Sequence, residues 1–126
     1  MISVKHKGNF NKTEMFLKNA SNGSNILRVL ERYGREGVTA LAAATPVETG
    51  LTAKSWQYKI EKSNGTYKIS FYNTNIQNGV PIAVILQLGH GTRNGGWVQG
   101  RDYINPAIQP IFDKIANEAW KEVTRS

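Results

Sequence analysis

"WQYKIEKSNGTYKISF", residues 56–71, is the stretch on which the fold turns. Trp56, Tyr58 and Ile60 alternate with Gln57, Lys59 and Glu61, and Tyr67, Ile69 and Phe71 alternate with Lys68 and Ser70. A period of two sends one set of side chains to one face of an extended strand. Between the two runs stands Ser63-Asn64-Gly65, and an Asn-Gly pair flanked by alternating apolar residues is a strong hairpin signal. The stretch therefore predicts an antiparallel hairpin with its aromatic face turned inward.

That face needs a cover, and the sequence just upstream supplies one. Ile26, Leu30, Tyr33, Gly37, Leu41 and Ala44 recur every three or four residues, while Arg28, Glu31, Arg32, Arg35 and Glu36 fall largely elsewhere on the wheel. The pattern predicts an amphipathic helix over 24–44, with Ser24 as N-cap and Pro46 ending the element. Gly34 and Gly37 each cost such a helix about 1 kcal/mol relative to alanine. Their small size leaves room for a neighbouring strand or helix.

The flanks are less decided. "MISVK", residues 1–5, alternates as a short strand or extended arm would. "NFNKTEMFLKNASNGS", residues 9–24, has room for one or two helical turns before the Asn22-Gly23 turn signal. "NTNIQNG", residues 73–79, reads as a polar loop, and "VPIAVILQL", residues 80–88, as a buried strand or a short buried helix. Periodicity does not separate those last two. Ile108, Phe112, Ile115, Ala119 and Val123 keep helical spacing to the C-terminus. Pro106 suits the first position of that helix behind Asn105 as cap, and Pro110 disturbs the first turn. The expected fold is a single α+β domain over residues 1–126. It has a small antiparallel sheet (the hairpin plus a third strand) packed against the long helix, a C-terminal helix, and residues 1–23 as an N-terminal arm.

Composition bounds the chemistry. Of 126 residues, 40% are hydrophobic and 20% charged, as in an ordinary soluble domain, and Lys and Arg outnumber Asp and Glu to give a net charge of +7. That balance favours polyanions or acidic protein surfaces through long-range attraction. The absence of cysteine excludes disulfides, thiol nucleophiles and thiolate metal sites. The longest apolar run is about a third of a membrane span, and residues 1–12 lack the apolar core of a signal peptide. A soluble protein made in the cytoplasm is expected, with no membrane partner.

Two stretches invite functional readings. "ATPVETGLTAKSW", residues 44–56, is by its residues a connector from helix to strand, with a stiffening Pro46 and a turn at Thr49-Gly50. "LGHGTRNGGWVQGRDYINP", residues 88–106, threads His90, Arg93, Trp97, Arg101 and Asp102 among glycines. No second histidine or acidic cluster accompanies His90 to make a metal site. Ser55, Thr92 and Asp102 fall in no recognisable triad arrangement. The glycines lack both the Walker spacing and a strand–GxGxxG–helix setting. Arg93, Trp97 and Arg101 mix basic and aromatic groups as single-strand binders do, but no nucleic-acid-reading motif accompanies them. No catalytic, cofactor or metal residue is assigned. A loop over 89–102 with so many glycines and few apolar anchors is expected to be mobile, and to become ordered on a partner.

Taken in order, the two stretches resemble the signature of a family of phage tail-component proteins. "ATPVETGLTAKSW" is similar to its Val-Pro-Val-Asp-Thr-Gly-x-Leu-x-x-Ser motif. "AVILQLGHGT" and "GRDYINPAI" are similar to its Tyr-Ala-x-x-Val-Glu-Phe-Gly-Thr stretch, glycine-rich loop and Pro-Phe-Leu-x-Pro-Ala helix start. The matched positions are Pro46, Val47, Thr49, Gly50 and Ser55, then Ala83, Gly89, Thr92, Tyr103, Pro106 and Ala107, across about half the chain. Departures are Leu51, one place early, Gln87 for the common acid, His90-Gly91 inserted before Thr92, and Asp102 where proline is usual.

The resemblance implies a non-enzymatic neck protein, joining head to tail in a long-tailed bacteriophage or related prophage particle. It would be assembled in the host cytoplasm and held in the virion as a subunit of a homo-oligomeric ring, a hexamer or dodecamer. Its partners would be the connector or head-completion protein and the tail terminator or tube proteins, with DNA passing non-specifically through the lumen. Gly89, His90, Thr92, Arg93, Trp97 and Arg101 would then form a docking loop, and Pro46, Thr49, Gly50, Ser55, Tyr103 and Pro106 would have structural roles. The competing reading is a small basic nucleic-acid-binding module, which would lose affinity steeply with salt.

Overall fold

A computed structural model describes residues 3–8, 12–18, 23–46, 50–63, 65–91 and 95–124. The hairpin at its centre is β3 (Trp56–Ser63) and β4 (Thr66–Asn73), antiparallel, with Tyr58 opposite Phe71 and Ile60 opposite Ile69. The antiparallel hairpin expected from alternation is present. Trp56, Tyr67, Ile69 and Phe71 are buried, and Tyr58 and Ile60 are partly buried beside them.

The cover is α1 (Gly23–Ala44), which buries Ile26, Leu30, Tyr33 and Leu41 against the sheet. Its two interior glycines explain how helix and sheet come so close. A Cβ on Gly34 would lie 2.5 Å from the Tyr58 ring, and one on Gly37 would lie 2.6 Å from Cζ of Phe71. The glycines thus trade helix propensity for ring packing. The C-terminal helix α4 (Ile104–Thr124) lies along α1 on the same face, burying Ile108, Ile111, Phe112, Ile115 and Ala119. Phe112 meets Phe71 at 6.0 Å between ring centroids, so sheet and both helices share one core.

The sheet has four strands in the order β1-β2-β4-β3. β1 (Ser3–Gly8) and β2 (Lys12–Lys18) form a second antiparallel hairpin, and β2 pairs with β4, Leu17 opposite Tyr67 and Met15 opposite Ile69. This corrects the expectation for the N-terminus. Residues 12–18 are a strand rather than helical turns, and much of the expected arm is built into the sheet. The helix formers Glu14, Met15 and Leu17 favour the local helix reading. Pairing with β4 overrides it, because it buries Met15 and Leu17 completely on the core face. The third strand is therefore N-terminal.

The run that alternation left undecided resolves as α3 (Ile82–Leu88). The polar loop before it holds a small hairpin, β5 (Ile76–Gln77) and β6 (Val80–Pro81), turned by Asn78-Gly79. The start of α4 also differs from expectation. The cap is Asp102, whose Oδ1 accepts the Asn105 backbone N–H at 3.1 Å, and Pro106 sits within the first turn, where no N–H is needed. Pro110 lies inside the helix on its exposed side.

Candidate functional site

Several of the described residues singled out in the sequence lie toward the end of the sheet formed by Trp56 and Asn73. A buried chain of hydrogen bonds links them. At the end of α1, the Thr45 hydroxyl donates to the Leu41 carbonyl at 2.7 Å and accepts the Trp56 indole N–H at 2.9 Å. The helical turn α2 (Gly50–Lys54) follows and buries Thr52. The Thr52 carbonyl accepts from Asn73 Nδ2 at 2.8 Å, and its hydroxyl accepts from Asn75 Nδ2 at 2.9 Å. Asn75 in turn takes its backbone N–H to Asn73 Oδ1 and receives the Ile82 N–H on its carbonyl, so the same asparagine opens α3.

From α3 the chain passes to α4. The Ala83 carbonyl accepts the Tyr103 hydroxyl at 2.8 Å, and the Leu86 carbonyl accepts the Arg101 backbone N–H at 3.1 Å. Burial holds the Tyr103 phenol in its neutral form, with its pKa pushed up to about 12. Each polar group in this relay is satisfied by another, which is what allows so many to be buried. Sequence reasoning missed Thr45, Thr52, Asn73 and Asn75. Their signal is weak, since a buried asparagine differs from a loop asparagine only in its partners.

Between α3 and α4 the glycine-rich segment forms a short hairpin, β7 (Gly89–Gly91) with β8 (Trp97–Gln99). Its base is a close crossing of two glycines. Gly89 caps α3 with φ near 88°, its N–H donating to the Ile85 carbonyl, and a side chain there would strike the Val98 carbonyl at 2.7 Å. A Cβ on Gly100 would collide with the backbone of Gln87, Leu88 and Gly89. At the other strand end, Asp102 Oδ1 takes Gln87 Nε2 at 2.8 Å and Asp102 Oδ2 takes Asn105 Nδ2 at 2.9 Å. Burial raises the Asp102 pKa, but hydrogen bonds from Asn105, Gln87 and Ile104 outweigh it and hold the carboxyl below its ordinary value. Asp102 is thereby committed to the cap.

The hairpin presents Trp97, 62% exposed, with Val98 and Leu88 also exposed. Arg101 is exposed in side chain although its backbone is tied to α3. His90 lies in β7 opposite Val98. Thr49, Thr92 and Arg93 lie outside the described residues. Ser55 donates its hydroxyl to the Leu51 carbonyl at 2.6 Å, and its own carbonyl accepts the Thr74 N–H at 3.0 Å. Gly50 opens α2 facing open space, and Pro46 is the second residue after the end of α1. The connector reading of residues 44–56 holds for the described residues, 44–46 and 50–56, which brace the sheet end.

Elsewhere some of the basic residues pair with acids. Glu61 Oε1 meets Lys68 at 3.1 Å and Lys59 at 3.7 Å on the outer side of the sheet. Glu36 lies 3.7 Å from Arg32 and 4.0 Å from Lys114. An open groove of about 440 Å³ runs between α1 and α4, lined by Arg35, Glu36, Thr39, Ile111 and Lys114. Among the described residues no three of His, Cys, Asp and Glu gather as metal ligands, and no helix is long and apolar enough to cross a membrane. Comparison with protein-family models, with curated proteins and with solved structures finds no match to this chain.

Proposed function

We propose that this chain is a non-enzymatic ring subunit of a phage-type neck, joining the head connector to the tail, with the β7–β8 hairpin as its docking element. The observation that carries the reading is the convergence of both signature stretches on one end of the sheet. Ser55 contacts Thr74 from the first stretch, Ala83 and Tyr103 bond within the second, and Asn75 bridges the two. A brace of that kind gives a rigid platform for a displayed side chain. The hairpin it carries holds Trp97 in solvent, and Arg101, four residues on, is exposed as well. Aromatic and arginine side chains are the composition of an interface hot spot.

Purified heads and tails, mixed with the protein and scored for infectious particles, test this. Trp97→Ala with Arg101→Ala is expected to leave the melting temperature nearly unchanged and to block joining. Normal titres from the folded double variant would remove the hairpin from the docking role. Salt-sensitive DNA affinity beyond that of a generic basic protein would favour the nucleic-acid module instead.

A further inference from the structure

β3 is an edge strand. It pairs with β4 along one side, and among the described residues no strand pairs with the other. The phase of the ladder tells which backbone groups are left over. The Ser55 carbonyl accepts the Thr74 N–H, and bonded positions in an antiparallel pair recur at every second residue. Gln57, Lys59 and Glu61 therefore turn their N–H and C=O toward β4, and Tyr58, Ile60 and Lys62 turn theirs out of the sheet. Beside this edge lies an open groove of about 340 Å³, lined by Arg35, Val38 and Thr39 of α1 and by Trp56, Gln57 and Tyr58 of β3. Consecutive strand residues send their side chains to opposite faces, and α1 lies on the face of Tyr58, whose ring packs against Gly34. A groove bounded by α1 and by both Gln57 and Tyr58 sits at the rim of the strand, where the free backbone groups are. Edge strands are commonly guarded by charge. β3 has that guard in its far half, where Glu61 holds Lys59 and Lys68 and Lys62 covers the Tyr67 ring at 5.4 Å. Trp56-Gln57-Tyr58, the half beside the groove, is uncharged. Arg35, the one charged residue lining the groove, is exposed and enters no ion pair among the described residues, whereas Arg32 meets Glu36 at 3.7 Å.

We infer that β3 and α1 form a docking groove for an extended segment of another protein that carries an acidic side chain. The segment adds to the sheet beyond β3, bonding its backbone to Tyr58 and Ile60 and setting its carboxylate against Arg35. In strand addition the main-chain bonds supply affinity and the side-chain contacts supply specificity. Free N–H and C=O groups in a row call for an extended backbone, and a lone exposed guanidinium calls for a carboxylate. The net charge of +7 draws an acidic partner by long-range attraction and repels a basic one. The groove is a site apart from the β7–β8 hairpin, and the inference does not depend on the neck reading.

Amide NMR of the full chain at low salt, titrated with a peptide of β3's length built from Val and Thr around one central Glu, tests it. The amides of Tyr58 and Ile60 are expected to shift and to become protected from exchange, while those of α4 stay unchanged. A peptide with Lys in place of Glu should bind about two- to fivefold more weakly, the range of an exposed ion pair. Arg35→Glu should reverse that preference, and Arg35→Gln, a second variant that keeps the length of the side chain, should erase it. N-methylation of every second peptide amide should abolish binding in one frame and spare it in the other. Absence of protection at Tyr58 and Ile60, or a preference for Glu that survives Arg35→Glu, would overturn the inference. Protection of the same amides in the protein alone as its concentration rises would also overturn it, by giving the edge to a second copy of the chain.

Discussion

Placing alanine at Gly37 sets two known effects against each other, and the structure decides which wins. In an unhindered helix interior the change gains about 1 kcal/mol in propensity. At Gly37 the new methyl would lie 2.6 Å from Cζ of Phe71 and 3.3 Å from Cδ1 of Ile108. Carbon atoms pack comfortably at about 3.5–4.0 Å, so the ring must move by about 1 Å. Phe71 is 1% exposed and backed by Phe112, and neither ring has anywhere to go. Overpacking of that kind costs about 1–3 kcal/mol. The expected net effect is a loss of about 1 kcal/mol, or a fall of about 3–5 °C in Tm. Gly34→Ala supplies the contrast. Its obstacle, Tyr58, is only partly buried and can swing outward, so the propensity gain should roughly cancel the clash. Urea melts of both variants, followed by circular dichroism, give the two values. Phe71→Leu combined with Gly37→Ala should then show coupling of about 0.5–3 kcal/mol. A Gly37→Ala variant more stable than the parent, or one additive with Phe71→Leu, would refute this account of the helix–sheet contact.

Three further outcomes are expected. Trp56→Ala removes a buried ring and the indole N–H that the Thr45 hydroxyl accepts, so denaturant melts should show a loss of about 3–5 kcal/mol. Gly100→Ala collides with backbone rather than with a movable side chain, and should expose the amides of β7 and β8 to hydrogen exchange while those of β3 and β4 stay protected. Asp102 has a folded pKa below its unfolded value near 3.8, so its stabilisation is full above that value and is lost as pH falls through the folded one. Asp102→Asn should therefore lower Tm at neutral pH and erase that part of the acid dependence, as thermal melts from pH 7 to pH 2 would show.

What could be read from the sequence follows from how local each signal is. The hairpin at 56–71 and the helix over 24–44 announce themselves because period and turn chemistry act within a few residues. The strand over 12–18 does not, since its partner Ile69 lies far along the chain and the local composition suits a helix. Asn78-Gly79 carries the same turn signal as Asn64-Gly65. It stands between strands of only two residues, too short for alternation to register. The braced end was half legible. Its outline could be inferred from Pro46, Ser55 and Tyr103, but the bonds that build it belong to Thr52, Asn73 and Asn75, whose roles exist only once the elements are assembled. Asp102, weighed as a catalytic acid, proves to be a helix cap.

The order of the four strands has a kinetic consequence. β3 and β4 are joined by a tight turn, and such a hairpin closes in about 1–10 μs. β2 reaches β4 only after α1 has been laid down between them, at a sequence separation of about fifty residues, which makes that pairing the slow one. Until it forms, β4, which buries Tyr67, Ile69 and Phe71, has an open edge. An unpaired apolar edge is a template for other chains. Residues 3–18 thus act as a guard on the nascent sheet, and a chain shortened to begin at α1 would expose an edge ready to aggregate.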